Sequence, residues 1–245
     1  MLLAWKTQGI LTIAGYILGF PADTPETIKR NIAIIQEELP IDLLEFFCLT
    51  PLPGSEDHQT LWTNGIAMEA DLNSYDVEHV CMAHPKMSKR EWQDAYHAAW
   101  QLYYTPKHMK VLLRRAAATG VPTSNLAKYL LTFSTTDRLE KVHPLQGGIF
   151  RLKHPSERRP GLPRENPWLF WSRFGWETLA KHVILITKIG QLLIWKTAIT
   201  SASGARSYMD QALLPVGDDG DETLDLLTKT AVSYTHLRAH ETKAN

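Results

Sequence analysis

The side chains that can carry acid–base or metal chemistry cluster around a few strand-end and loop segments. Asp57 and His58 follow an apolar run and a Pro/Gly-rich turn; a carboxylate beside an imidazole can serve as an acid–base pair, or simply solvate a loop. His79, Cys81 and His84 are metal-ligating types, but they lack a second ligand pair, so ordinary loop or core roles are expected. Cys48 lies inside an apolar run and reads as a small buried side chain. Gly15 and Gly19 flank Ile17 in a string ending at Phe20-Pro21, where bare main chain can approach a ligand or let strands pack closely. Asp23 can touch a ligand, but capping a helix is the commoner use of such a residue.

Residues 9–20, GILTIAGYILGF, are apolar, β-branched and bounded by Gly and Pro, which predicts a parallel strand buried on both faces. Asp23 or Thr24 then caps a helix with Pro25 in its first turn, Glu26 as capping-box partner, and Ile28, Ile32, Ile35 and Leu39 on one face. Pro40 stops it, and residues 41–49 predict a second strand. Ligands of such strand-helix-strand units meet the carboxyl ends of the strands, here residues 19–23 and 50–55. After a polar connection, Ser88 and Glu91 open a helix whose Trp92, Ala95, Ala99 and Tyr103 share a face. The aromatics Trp92, Tyr96, Trp100, Tyr103 and Tyr104 are too close for one stripe and are expected to divide between two contacts. A further helix runs from Thr105-Pro106 to Gly120, exposing Lys107, Lys110, Arg114 and Arg115, and Ser124 caps another through Phe133. Residues 134–182 are basic and Pro-rich and read as an irregular arm, either a strap or a contact for an acidic partner or lipid headgroups. In residues 183–200 the insertion cost of Lys188 offsets the aliphatic gain, so a buried or interfacial amphipathic helix is expected rather than a span.

GYILGFPADTPETI and LTPLPGSEDH together resemble the later strands of a radical S-adenosylmethionine (SAM) barrel, most closely bacterial members with an upstream cobalamin-binding domain. DLNSYDVEHV, HPKMSKREWQDAYHAAWQLYYTP, PLQGGIFRLK and RRPGLPREN are similar to the accessory region that follows these barrels. The resemblance implies an α/β fold: the carboxyl-terminal part of a partial (β/α) barrel, then a mostly α-helical region. It implies cofactor contacts at Gly15, Ile17, Gly19, Phe20 and Pro21, and a substrate face at Thr50, Pro53, Gly54, Asp57 and His58. It also implies a 4Fe-4S cluster and SAM in the intact parent, with cobalamin in some members. The family's C-x3-C-x2-C cluster motif is absent, and Cys48 and Cys81 alone cannot hold a cluster, which needs about three or four ligands. The expectation is a fragment that starts inside the barrel at an internal methionine and is inactive alone.

The 245 residues carry 26 basic and 26 acidic side chains, which argues against a nucleic-acid binder driven by bulk charge. With 44% hydrophobic and 21% charged residues the composition is globular. Two cysteines and no signal-peptide pattern fit a cytoplasmic protein, either free or peripheral to the membrane. A small-molecule or lipid-like substrate is expected. The predicted organisation is barrel strands and helix at 1–56, a connection at 57–87, helices at 88–133, the arm at 134–182, the apolar helix at 183–200, and a polar tail at 201–231. Residues 232–245 begin with VSYTHLRAHET, which resembles a translated transposase adapter from sequencing libraries and is set apart from function. The alternative to the enzyme is a non-catalytic helical interaction module or peripheral membrane adaptor built on residues 88–200.

Overall fold

A computed structural model describes residues 1–147, 151, 153–157, 161–163 and 165–215. The adapter-like segment, most of the polar tail and parts of the PLQGGIFRLK and RRPGLPREN strings lie outside the described residues. The chain falls into two units, Met1–Leu213 and Leu214–Asn245. The first is α/β in the coarse sense: mostly helix, with a small two-stranded parallel sheet.

The strands are β1 (Ile13–Leu18) and β2 (Leu43–Cys48), paired in parallel with Ile13 beside Leu43 and Leu18 beside Cys48. Both are shorter than their apolar runs. Residues before β1 form α1 (Leu2–Thr7), followed by Gly9 at a positive φ of 71°, and its Lys6 pairs with Asp42. The crossover helix α2 (Pro25–Glu38) buries Ile28 and Ile32. Its cap corrects the sequence reading: Thr24 is the N-cap and Thr27, not Glu26, completes the capping box. Leu39 leaves the helix in extended geometry, as a residue before proline must, and is exposed.

The expected burial on both faces also fails. One face of β1 carries Ala14, Tyr16 and Leu18 toward the core; the other leaves Ile13 51% and Ile17 45% exposed. The two edges of the sheet differ as well. On β2, the Leu44 N–H donates to the Tyr104 hydroxyl (3.1 Å), that hydroxyl donates to the Leu44 carbonyl (2.9 Å), and the Cys48 N–H donates to Val77 (2.8 Å). On β1, Thr12 and Leu18 direct their carbonyls to β2, so alternation turns the main chain of Ile13, Gly15 and Ile17 to the far edge, where no strand pairs among the described residues.

A short helix, α3 (Glu56–Thr63), capped by Ser55, occupies the stretch read as a polar connection. Helix α4 (Lys89–Tyr103) opens on the expected Ser88–Glu91 capping box. Its aromatics Trp92, Tyr96, Trp100 and Tyr103, with Tyr104, all join one core, formed on one side with β2 and α2 and on another with the helix that carries Phe133, which lies against Trp100 and Tyr104. Helix α5 (Pro106–Thr119) is capped by Thr105 and ends at Gly120 as expected. Arg115 is not exposed, however. Its guanidinium donates to the Gln36 carbonyl (2.8 Å), the Leu39 carbonyl (3.3 Å) and Asp210 (2.7 Å), so it closes the carboxyl end of α2, where unpaired carbonyls attract a cation. Helix α6 (Thr123–Glu140) has Pro122, not Ser124, at its N-cap and continues past Phe133. Helix α7 (Pro167–Thr200) runs for 34 residues and takes up the end of the segment read as an arm, so the arm reading can hold only between α6 and α7.

Two buried histidines make the core acid-sensitive. Burial, with Arg115 nearby, depresses the His108 imidazole to about 3, and burial depresses His143 to about 4. Below the ordinary value near 6.5 the unfolded chain takes up these protons first, so stability falls as pH drops from about 6.5 toward 4. By pH 5 the loss should reach about 2 kcal/mol per histidine. Urea midpoints at pH 7, 6 and 5 test this: the His108→Gln/His143→Gln variant should show a much flatter dependence over that window.

Candidate functional site

The carboxyl ends of β1 and β2 open into one cavity of about 570 Å³. Gly19 and Pro21 line it from the turn after β1, Leu49, Thr50 and Pro51 from the end of β2, Asp57, Thr60 and Leu61 from α3, and Ile66, Met82 and His84 from the loop before α4. Its size is that of a small-molecule site, and its wall is mainly apolar.

Internal hydrogen bonds occupy much of its polar lining. At the turn after β1 the Gly19 and Phe20 N–H groups both donate to the Asp23 carboxylate, at 2.8 and 2.9 Å. Asp23 therefore does not cap α2; it holds the main-chain donors of Gly19 and Phe20. The Thr50 hydroxyl donates to the Asp76 carbonyl at 2.7 Å and ties the β2 end to the following loop. His84 accepts N–H bonds at Nδ1 from Lys86 and Met87, both 3.1 Å, which leaves its Nε2–H to donate to the Phe20 carbonyl at 2.9 Å. That leaves Asp57 and Thr60, three residues apart on one face of α3, both exposed, both in the cavity lining and without a side-chain hydrogen bond among the described residues. A carboxylate and a hydroxyl so placed can accept from and donate to vicinal hydroxyls or an amino group.

The structure disperses the other sequence candidates. Gly19 lines the cavity, yet its bareness serves packing: a Cβ there would lie 1.8 Å from the Trp92 ring. At Gly15 a Cβ would meet the Phe47 ring at 2.9 Å. Gly15 and Ile17 sit on the open sheet face and the unpaired edge, away from the cavity lining. The Phe20 side chain is about half exposed, and Pro53 and Gly54 form an exposed turn outside the lining. Asp57 and His58 are not brought to one place: consecutive helical residues diverge, Asp57 lines the cavity, and His58 lies against Tyr75 with ring centroids 5.7 Å apart. Thr60, Leu61 and Met82 went unread as site residues. Ser55 before two acids was a helix-start signal that would have placed Asp57 and Thr60 on one face. Glu45 was also missed. It stands opposite Gly15 on the open sheet face, and burial raises its carboxyl above the usual range.

Cys48 and Cys81 are both buried, and desolvation raises both thiols, away from the thiolate form that an iron–sulfur cluster requires. His79 pairs with Asp76 at 2.8 Å instead of approaching Cys81 or His84. Among the described residues no group of three or more His, Cys, Asp or Glu is placed to hold a metal ion. These residues do not fit a cluster. No protein-family model matches the chain, and no curated protein matches it.

Proposed function

We propose that this chain is the carboxyl-terminal part of a radical SAM enzyme, with β1, α2 and β2 as late strands of a partial (β/α) barrel. The observation that carries the reading is the asymmetry of the sheet. Tyr104 and Val77 close the β2 edge, while among the described residues the β1 edge is unpaired and its apolar face uncovered, so further parallel strands can add on one side only. The cavity lies at the strand ends, where such folds bind ligands. In this reading the cluster ligands belong to a preceding part of the parent, whose cluster would supply the one electron for reductive cleavage of the SAM sulfonium, and SAM would present a nucleoside for this chain to bind. Cobalamin would add methyl transfer. This chain's own contribution is binding: Leu49, Leu61 and Met82 exclude water, and Asp57 and Thr60 engage polar groups of the adenosyl part or of a small or lipid-like substrate. The parent would act in the cytoplasm, on no nucleic acid.

The test has two parts. The reading frame upstream of the Met1 codon should encode C-x3-C-x2-C; a stop codon and ribosome-binding site there would overturn the fragment reading. Titration calorimetry of the chain with 5′-deoxyadenosine should show binding that Asp57→Asn/Thr60→Val weakens by about tenfold, or about 1.4 kcal/mol, with the urea midpoint unchanged. A specific observation favours the second reading, a helical interaction module or peripheral membrane adaptor: α7 is long and apolar enough to cross a membrane and is mostly exposed.

A further inference from the structure

Helix α7 has its polarity reversed. The face packed on α5 and α6 carries its lysines: Lys181 bonds Glu140 at 2.9 Å, Lys188 is half-buried near Arg138, and Lys196 reaches Ser124 at 3.3 Å, with Leu192 and Trp195 between them. The opposite face is charge-free. Trp176, Leu179, Val183, Ile186, Leu193 and Ile194 form one stripe at helical spacing, with Trp176 74%, Ile186 67% and Ile194 69% exposed. With Trp168 and Thr197 at its ends, the stripe extends over about 44 Å.

We propose that this face of α7 docks the protein on an anionic lipid bilayer, lying in the plane of the interface with its apolar side in the acyl boundary. The inference is independent of the radical SAM reading. An apolar stripe can also meet a protein, but a protein interface brings hydrogen-bonding groups, about one per 100–200 Å². Here three of the helix's hydroxyls are turned back on its own backbone. Ser172 donates to the Leu169 carbonyl (3.1 Å), Thr187 to Val183 (2.8 Å) and Thr200 to Lys196 (2.9 Å), so the exposed side offers little to a polar partner and satisfies the condition that hydrocarbon imposes. Trp168, Trp171 and Trp176 gather at the amino-terminal end, the aromatic type enriched where membrane meets water.

Charge supplies the lipid class. Across α5, α6, α7 and the following turn, Asp137, Glu140, Glu177 and Asp210 are each paired with a base. Lys107, Lys128, Arg138 and Arg206 are exposed without an ion pair among the described residues, a cationic surplus that anionic headgroups complement. Lying flat suits the packed face better than crossing would, because Lys181 and Lys196 on it are bonded to Glu140 and Ser124 of the protein body.

Vesicle flotation of the full chain tests the proposal, using phosphatidylcholine vesicles with and without phosphatidylglycerol. The chain should float with the anionic vesicles, and Ile186→Asp/Ile194→Asp should weaken partition by about tenfold or more while Ile186→Leu retains it. Both positions are exposed, so circular dichroism should be unchanged; Ile186→Asn/Ile194→Asn is the second variant, free of added charge, and should lose partition in the same direction. The proposal is overturned if the unaltered chain stays unbound at every vesicle composition, or if both double variants float as well as it does. It is equally overturned if the stripe proves to join two copies, seen as a dimer by light scattering that the Asp variant dissociates and that ignores vesicles.

Discussion

Replacing Gly19 with alanine should cost about 3–5 kcal/mol of folding stability, combining the usual penalties for overpacking and for an L-residue in strained backbone. Its φ of 106° lies where side chains are rarely tolerated, and the added Cβ would fall 1.8 Å from the Trp92 ring. Trp92 has nowhere to retreat: it is fully buried, with the His84 imidazole edge-on at 5.2 Å. A double-mutant cycle separates the two causes. Gly19→Ala in a Trp92→Leu background should lose less than in the native background, with a coupling of about 1–3 kcal/mol, because the clash disappears and only the backbone strain remains. Urea denaturation followed by circular dichroism measures all four proteins. A loss under about 1 kcal/mol, or strictly additive values, would return Gly19 to the role of a ligand-approach glycine.

Asp42→Ala should be comparably severe, at about 3–5 kcal/mol, since it strands a buried cation. Lys6 and Asp42 are each 1% exposed and joined by an ion pair, and the same carboxylate accepts the Thr12 N–H at 2.8 Å. Removing it leaves an ammonium and an amide without acceptors beneath the sheet. Lys6→Met/Asp42→Leu should recover the part of the loss due to the stranded ammonium, because an apolar pair of similar volume carries no charge to desolvate, while the Thr12 N–H stays without its acceptor. A pH signature accompanies the single variant. Burial already lowers the Lys6 pKa and Asp42 opposes that shift, so without Asp42 the pKa falls further. The unfolded chain then binds the extra proton, and the variant should gain stability as pH rises from 7 toward 10. A pH-independent loss would show that Lys6 finds another acceptor or reaches solvent.

The elements read correctly from sequence are those whose start and stop signals are local. Ser88 with Glu91, and Thr105-Pro106 with Gly120, bracket α4 and α5 because capping depends on residues within one turn. The strand-helix-strand order at the amino end was legible for the same reason, as was the burial of Cys48 in an apolar run. The misreadings involve partners distant in sequence. Nothing near Arg115 reveals that α2 ends against it, and nothing near Gly19 announces Trp92. The cavity was partly legible: Gly19, Pro21, Thr50 and Asp57 line it, as strand-end position suggests, whereas His58, Pro53 and Gly54 do not.

By itself the sequence determined the strand-helix-strand order at the amino end, the caps of α4 and α5, the parallel pairing and the apolar character of residues 183–200, since each follows from composition and spacing within a short window. Only the tertiary structure decided which side of each element is covered. Periodicity marks an apolar face without naming what lies against it. On β1 that left one face and one edge open, and on α7 it set the lysines inward against α6 and the aliphatic stripe outward. Burial is a property of pairs of surfaces, and the second surface of a pair is supplied by the fold.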